Sequence, residues 1–205
     1  MTMEAAQTRK PTVQQRLPVF QKFIDDVRAA WARESDTEAR MKATTELLRG
    51  LVADETIRAR SRDWPSTEGH KNLLLYEDPD YGFAVNAVVR APGRKGSVHD
   101  HAHAWTAYGV LDGTESLERF ERLDDGSREG YADVRMTSVT QGGGGSVDLV
   151  PPFDIHAEQG GPTRSVAIIV RSERVAGKVL QGRYNPAEKT TFRGEGPTQV
   201  PFEVA

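Results

Sequence analysis

The spacing of apolar residues changes near residue 65, and the change divides the chain into a helical part and a part of short strands. Before that point apolar residues recur every three or four positions, as they do on the buried face of a helix. The first such face comprises Leu17, Phe20, Ile24, Val27 and Trp31. The pattern predicts an N-terminal helical extension over residues 1–65 that packs on the part that follows.

After residue 65 the apolar stretches are short and are separated by turn residues. Phe83–Arg90 and Ser165–Val170 are rich in β-branched residues, and Asp112-Gly113 is typical of a turn between strands. Many short strands without intervening helices indicate an antiparallel sandwich or barrel. We therefore predict an all-β barrel over residues 66–205, with the Gly- and Pro-rich segment from Gly182 to Ala205 wrapping around it.

Composition narrows the classes of function. The 205 residues suffice for one domain, and 27 basic against 30 acidic residues give a net charge of −3, without the basic stripe of a nucleic-acid-binding protein. The chain has no cysteine, which excludes disulfides, thiolate catalysis and cysteine-bound metals. No apolar run is long enough for a membrane helix, and MTMEAAQTRKPTVQQRL lacks the apolar core of a secretory signal. We expect a cytoplasmic protein that binds neither membranes nor nucleic acids, and the Ala, Arg and Gly usage suggests a high-GC bacterium.

Four of the five histidines lie in two short segments. In a strand, residues i and i+2 face the same side, so His99 and His101 can point at one metal ion. His156 follows 55 residues after His101, on another strand, and is expected to complete the site from across the barrel interior. Imidazole binds Fe, Zn, Cu and Ni alike. The local turn around Ala102 is expected to divert His103, either to the rim of a substrate pocket or to simple exposure at the surface.

The spacing around these histidines resembles the two motifs of the cupin superfamily over about Lys71–Val170. The first motif runs through Gly93, His99, His101, Thr106 and Gly113, and the second through Gly145, Pro151 and His156. Three positions depart from the usual pattern: Thr106 replaces Glu, Phe153 replaces Gly and Gly160 replaces Asn. The resemblance implies a double-stranded β-helix barrel, or jelly roll.

Within the cupins, the chain resembles the cysteine dioxygenase group, because SVHDHAHAWTAYGVLDGTESLERF and HKNLLLYED are similar to segments of that family. The resemblance implies a mononuclear Fe(II) dioxygenase in which three histidines hold the iron and O2 is added to a small anionic substrate, with a thiol giving a sulfinate. The chain also departs from the group. Lys71 stands where the family has a carboxylate-binding Arg, and Ala167, Ile169 and Arg171 replace its Ser-His-Tyr relay.

Several further residues are candidates for the substrate pocket. Lys71, Arg90 and Arg171 could bind an anionic group, although surface charges are the ordinary role of such residues. Thr106 is expected to face the metal beside the substrate. Strand parity then turns Tyr108 inward, where its phenol could take part in catalysis or simply fill the core.

Two other functions remain open. A three-His cupin oxygenase could cleave a C–C bond of a diketone or a hydroxylated aromatic compound, which the absent relay tyrosine and Lys71 favour. A non-catalytic cupin could bind a small ligand. A divalent transition metal other than Fe(II) is possible, as is a homodimer formed through exposed barrel edges.

Overall fold

The computed structural model describes residues 16–205, which form helices followed by strands. The helices are α1 (Pro18–Arg33), α2 (Thr37–Val52) and α3 (Glu55–Ser61). The strands are β1 (Lys71–Glu77), β2 (Ala84–Arg90), β3 (Val98–His99), β4 (Thr106–Asp112), β5 (Thr114–Arg122), β6 (Val134–Gly143), β7 (Val147–Val150), β8 (Ile155–Gly160), β9 (Ser165–Arg171), β10 (Gln181–Asn185), β11 (Thr190–Gly194) and β12 (Thr198–Pro201). The first 15 residues of the predicted helical extension, and most of the segment inspected for a secretory signal, lie outside the described residues.

The strands form two six-stranded sheets that face each other. The first sheet has the order β12-β1-β2-β9-β4-β7, and the second has the order β11-β10-β3-β8-β5-β6. The inner strands β2, β9, β4 and β7 lie against β3, β8, β5 and β6, which is the arrangement of a jelly roll. Contacts between the sheets, such as the ion pair of Arg90 on β2 with Glu115 on β5, close the barrel. The predicted all-β double-stranded β-helix is confirmed.

The helices cover the outer face of the first sheet, so both faces of this sheet are buried. Trp31 of α1 packs on Trp105, with 5.9 Å between ring centroids. Helix α2 crosses β4 at Gly109, where a Cβ atom would lie 2.8 Å from Val52, so only glycine permits this close approach. Burial on both faces explains why every residue of β2 and β9 is buried and why these strands lack apolar–polar alternation.

The C-terminal segment that was predicted to wrap the barrel also contributes strands to it. Strand β12 adds to the first sheet parallel to β1, and β10 adds to the second sheet antiparallel to β3. As a result, β10 places Gln181 and Arg183 beside the histidine-bearing strand. None of the helices within residues 16–205 has the length and apolar character required to cross a membrane.

Candidate metal centre

The structure brings His99, His101 and His156 together inside the barrel. One ring nitrogen from each lies within 4.8 Å of the others, and all three side chains are buried. His99 ends β3, His101 lies in the loop that follows, and His156 stands directly opposite His99 on β8. The third histidine therefore comes from the neighbouring strand of the same sheet, not from across the interior as the sequence suggested.

Hydrogen bonds at Nδ1 orient the rings. His99 Nδ1 lies 3.0 Å from the carbonyl of Ser97, and His156 Nδ1 lies 2.9 Å from the carbonyl of Asp154. Because a carbonyl only accepts, both Nδ1 atoms carry the proton and both Nε2 atoms present a lone pair. His101 Nδ1 lies 3.0 Å from the hydroxyl of Thr106, which is able to accept the Nδ1 proton.

The Nε2 atoms converge. Those of His99 and His101 are 3.1 Å apart, and that of His156 is buried without a hydrogen-bond partner among the described residues. Two nitrogens that each bind one ion at about 2.1 Å lie roughly 3 Å apart when they are adjacent ligands. The donor set therefore fits a divalent transition metal, and imidazole nitrogens suit Fe, Zn, Cu and Ni.

The protonation state of the rings also suits a metal. Burial, reinforced by His156, lowers the pKa of His99 to about 3. Burial and the nearby Arg171 cation lower the pKa of His101 well below its ordinary value. Both rings are therefore neutral at physiological pH, which is the form that binds metal ions.

A carboxylate that the sequence reading did not single out lies beside the histidines. Glu158 follows His156 by two positions on β8, so both side chains face the interior. Its Oε1 lies 3.6 Å from His156 Nε2, and its Oε2 lies 3.9 Å from Arg90 Nη2. Burial alone would raise the pKa of Glu158, but His156, His99 and Arg90 hold it well below its ordinary value. The same parity that linked His99 and His101 could have identified this residue.

A cavity of about 270 Å³ opens beside His99. It is strongly cationic: its wall includes Lys71, Arg90, Arg94, Lys95, Arg171 and Arg183. Glu158 is the one carboxylate that lines it within residues 16–205. This charge distribution favours an anionic ligand.

Arg171 is the buried cation of this cavity without a recorded partner in the part of the chain that the structure describes. It ends β9, is 4% exposed, and makes no hydrogen bond or ion pair through its guanidinium within the described residues. Burial lowers its pKa to about 10, so the group stays charged at neutral pH. An unpaired buried charge is costly, and an anion in the cavity would offset that cost.

The other predicted cations differ from Arg171 in their surroundings. Lys71 is exposed at the mouth of the cavity. Arg90 is buried, and it donates to Glu115 over 2.8 Å and to the hydroxyl of Tyr108. The carboxylate of Glu115 neutralises its charge. Tyr108 in turn donates to Glu115. The structure thus places Tyr108 in a buried ion-pair network, with no recorded hydrogen bond to the three histidines in the part of the chain it describes.

Two predicted substrate residues lie outside the cavity wall. Thr106 is fully buried and holds His101, so it contacts a predicted metal ligand and not the cavity. The side chain of His103 is 63% exposed and pairs with Glu173 at 2.7 Å. The reason is the turn at Ala102, whose φ of +50° breaks the strand alternation that would have turned His103 inward.

Sequence reasoning also missed the part of the site contributed by β10. Arg183 donates to Ser97 Oγ over 3.0 Å and to Gln181 Oε1 over 2.8 Å, next to the segment that carries His99. No periodicity marked this segment as a strand, because its sequence, QGRYN, contains almost no aliphatic residues.

Comparisons with known proteins find similar structures only. This chain is similar to cupin domains. They include the cupin domain of Schizosaccharomyces pombe Cnp3, at 12% identity and a TM-score of 0.39 over 50% of this chain and 60% of that one. A protein with a double-stranded β-helix domain from Klebsiella pneumoniae matches at 17% identity and a TM-score of 0.41, over 58% and 81% of the two chains. An oxalate oxidase in complex with the substrate analogue glycolate matches at 20% identity and a TM-score of 0.40, over 54% and 53%.

The chain thus spans less than two thirds of the Cnp3 domain and of the oxalate oxidase. No protein-family model matches the sequence, and no curated protein matches it. The chemistry of the site therefore rests on the residues described above.

Proposed function

We propose that the chain is a mononuclear Fe(II) dioxygenase of a small anionic substrate, with His99, His101 and His156 as the iron ligands. The observation that carries the proposal is the shared cavity: the buried Arg171, which has no recorded partner, and His99 of the histidine cluster line the same space. A metal centre beside a buried cation is suited to an anion that binds next to the metal. When bound, the iron supplies Lewis acidity and the capacity to activate O2.

The protein's residues bind and orient the substrate. Arg171 holds the anionic group by charge-assisted hydrogen bonds, and Lys71 at the mouth attracts it from solvent. Val88 and Ile169 provide apolar walls that exclude water. Thr106 and the carbonyls of Ser97 and Asp154 keep the imidazoles in the tautomer that binds metal.

The substrate we favour is a small thiol that carries a carboxylate. Such a thiolate plus O2 gives a sulfinate, so both oxygen atoms end on sulfur and sulfur loses four electrons, with no other reductant. The resemblance of the histidine segment to thiol dioxygenases supports this assignment.

C–C cleavage of an anionic diketone or hydroxylated aromatic compound is the second candidate. One observation favours it: the positions of the thiol dioxygenase relay hold Ala167 and Ile169, which form part of an apolar cluster on the inner face of the first sheet. That surface suits a flat or branched carbon skeleton better than a polar relay does.

Metal content provides the first test. We expect protein loaded with Fe(II) without oxygen to hold about one ion per chain, and His156→Ala to lose it, because one of three converging nitrogens is removed. His103→Ala is the matched control and keeps the metal, since its ring lies at the surface. Equal metal content in His156→Ala and the parent would contradict the site.

O2 uptake with a panel of carboxylate thiols and of diketones provides the second test. We expect Arg171→Gln to raise KM for the acidic substrate by about 10- to 100-fold, the scale of one lost charge-assisted contact. Arg174→Gln, which removes an arginine paired with Glu77, is the control. No O2 uptake by the iron-loaded protein with any compound would refute the dioxygenase and favour a ligand-binding cupin.

A further inference from the structure

The carboxylate of Glu158 is buried but makes no hydrogen bond within the described residues. Its relative exposure is 6%, and its ion-pair contacts among the described residues, with His156 Nε2 at 3.6 Å and Arg90 Nη2 at 3.9 Å, are beyond hydrogen-bond distance. A carboxylate that lines the cavity and has no recorded donor among the described residues keeps its oxygen lone pairs available for a cation.

Arg90 is not that cation, because it is already engaged. Its Nη1 donates to Glu115 over 2.8 Å and also to the hydroxyl of Tyr108. Glu115 is thus the carboxylate that Arg90 neutralises directly, while Glu158 meets only the far nitrogen of the same guanidinium.

Glu158 and His156 place ligand atoms close together. His156 Nδ1 faces the carbonyl of Asp154, so in the neutral ring Nε2 presents the lone pair, and Oε1 of Glu158 lies 3.6 Å from that nitrogen. A metal ion bound by both atoms also has the Nε2 atoms of His99 and His101 within reach.

We propose that Glu158 is a fourth protein ligand of the metal, an inference that rests on the metal site of the proposed function. The carboxylate comes from β8, two positions after His156, and not from position 106, where a threonine holds His101. The donor set is then three imidazoles and one carboxylate. Such a set lowers the net charge of the centre by one and suits Fe(II) or Mn(II) better than a soft ion such as Cu(I).

Metal affinity tests the proposal without any assay of turnover. Metal-free protein is titrated with Co(II) or Mn(II) against a chromophoric chelator, and the Co(II) absorption spectrum is recorded. We expect Glu158→Gln to weaken Co(II) binding by at least about tenfold and to shift the Co(II) bands, because an oxygen ligand is lost. Glu158→Asp, one methylene shorter, is expected to weaken binding as well, although it keeps the charge.

Glu118→Gln is the matched control. It makes the same change on the neighbouring strand β5, where the side chain pairs with Gln159 on the other face of the sheet. We expect the parent's affinity and spectrum in this variant. Circular dichroism melts of the metal-free proteins identify any variant that loses affinity because it does not fold. If Glu158→Gln does not fold, the Co(II) affinity and spectrum of Glu158→Asp are used instead.

The possible results distinguish a failure of this inference from a failure of the proposed function. If Glu158→Gln keeps the parent's affinity and Co(II) spectrum, Glu158 is not a ligand, although the three-His site stands. A weaker affinity with an unchanged spectrum, together with full affinity in Glu158→Asp, would show a distant charge effect and also overturn the proposal. If the parent itself binds no metal, both the inference and the proposed function fail.

Discussion

Individual histidines of this site are held by their neighbours in one tautomer. Two of the three imidazoles face backbone carbonyls through Nδ1, and a carbonyl cannot adapt to the other tautomer. The backbone segments that carry these carbonyls lie two residues before His99 and His156, so each ligand segment orients its own ring. His101 differs, because it depends on a side chain, Thr106, from the opposite sheet.

We therefore expect Thr106→Val to weaken metal binding by about tenfold, the lower end of what the loss of a partner behind a metal ligand costs. Valine has nearly the shape of threonine but offers no acceptor to the buried Nδ1–H of His101. The measurement is the dissociation constant for Co(II) by chelator competition. Thr106→Ser restores the hydroxyl and should bind as the parent does. Parent-like affinity in the valine variant would show that His101 needs no partner.

Sequence patterns revealed those residues whose position follows from local spacing. The i, i+2 parity and the motif spacing identified all three histidines, and parity could also have identified Glu158. They could not show that Arg90 is neutralised by Glu115 while Arg171 is free, because the two arginines differ only in partners from the opposite sheet. The turn that diverts His103 was expected, but the sequence could not show that its ring pairs with Glu173 at the surface, outside the cavity wall.

At the scale of elements, amphipathic periodicity located the first helix, whereas the polar strands left no pattern in the sequence. The predicted face of α1 is the one that packs: Phe20, Ile24, Val27 and Trp31 are buried in the observed helix. Strand β10 gave no signal, because its partners β3 and β11 supply its pairing. A short polar strand is defined by tertiary contacts that a single sequence does not contain.

The attachment of α1 to the barrel depends on Asp78, and this dependence predicts a pH effect. The fully buried Asp78 carboxylate accepts hydrogen bonds from Arg28 of α1, from Tyr76 over 2.9 Å and from the backbone of Tyr81 over 2.8 Å. Burial alone would raise the pKa of Asp78, but these donors hold it below its ordinary value. Its ionised form therefore stabilises the fold above about pH 4, and that stability is lost as the pH falls through the lowered pKa.

We expect Asp78→Asn to destabilise the protein by about 1–3 kcal/mol at pH 7, because charged hydrogen bonds are lost, and by less at pH 3. Urea unfolding at the two pH values measures the difference. Asp80→Asn, whose exposed side chain also contacts Arg28, is the control and should change stability little. The same loss at both pH values would mean that Asp78 acts through packing and not through its charge.

Across the whole molecule, charge is unevenly distributed. The chain carries a net charge of −3, yet six cations and one carboxylate line the cavity beside the histidines. The outer face of the first sheet is covered by helices, and the cationic cavity opens beside His99. A positive opening on a negative protein concentrates the field at the place where the proposed anionic substrate would bind.

We therefore expect kcat/KM for an anionic substrate to fall about 3- to 10-fold as ionic strength rises from about 0.02 M to about 0.3 M, since salt screens exposed charges over about 10 Å or less. Lys71→Gln with Lys95→Gln should flatten this dependence, because both lysines are exposed at the opening. The control pair, Lys22→Gln with Lys42→Gln, makes the same charge change on helix surfaces, where these lysines pair with Asp26 and Glu38. If both pairs alter the salt dependence equally, the net charge of the protein, and not the cavity, governs the rate of substrate binding. The cationic opening would then have no role in selecting the substrate.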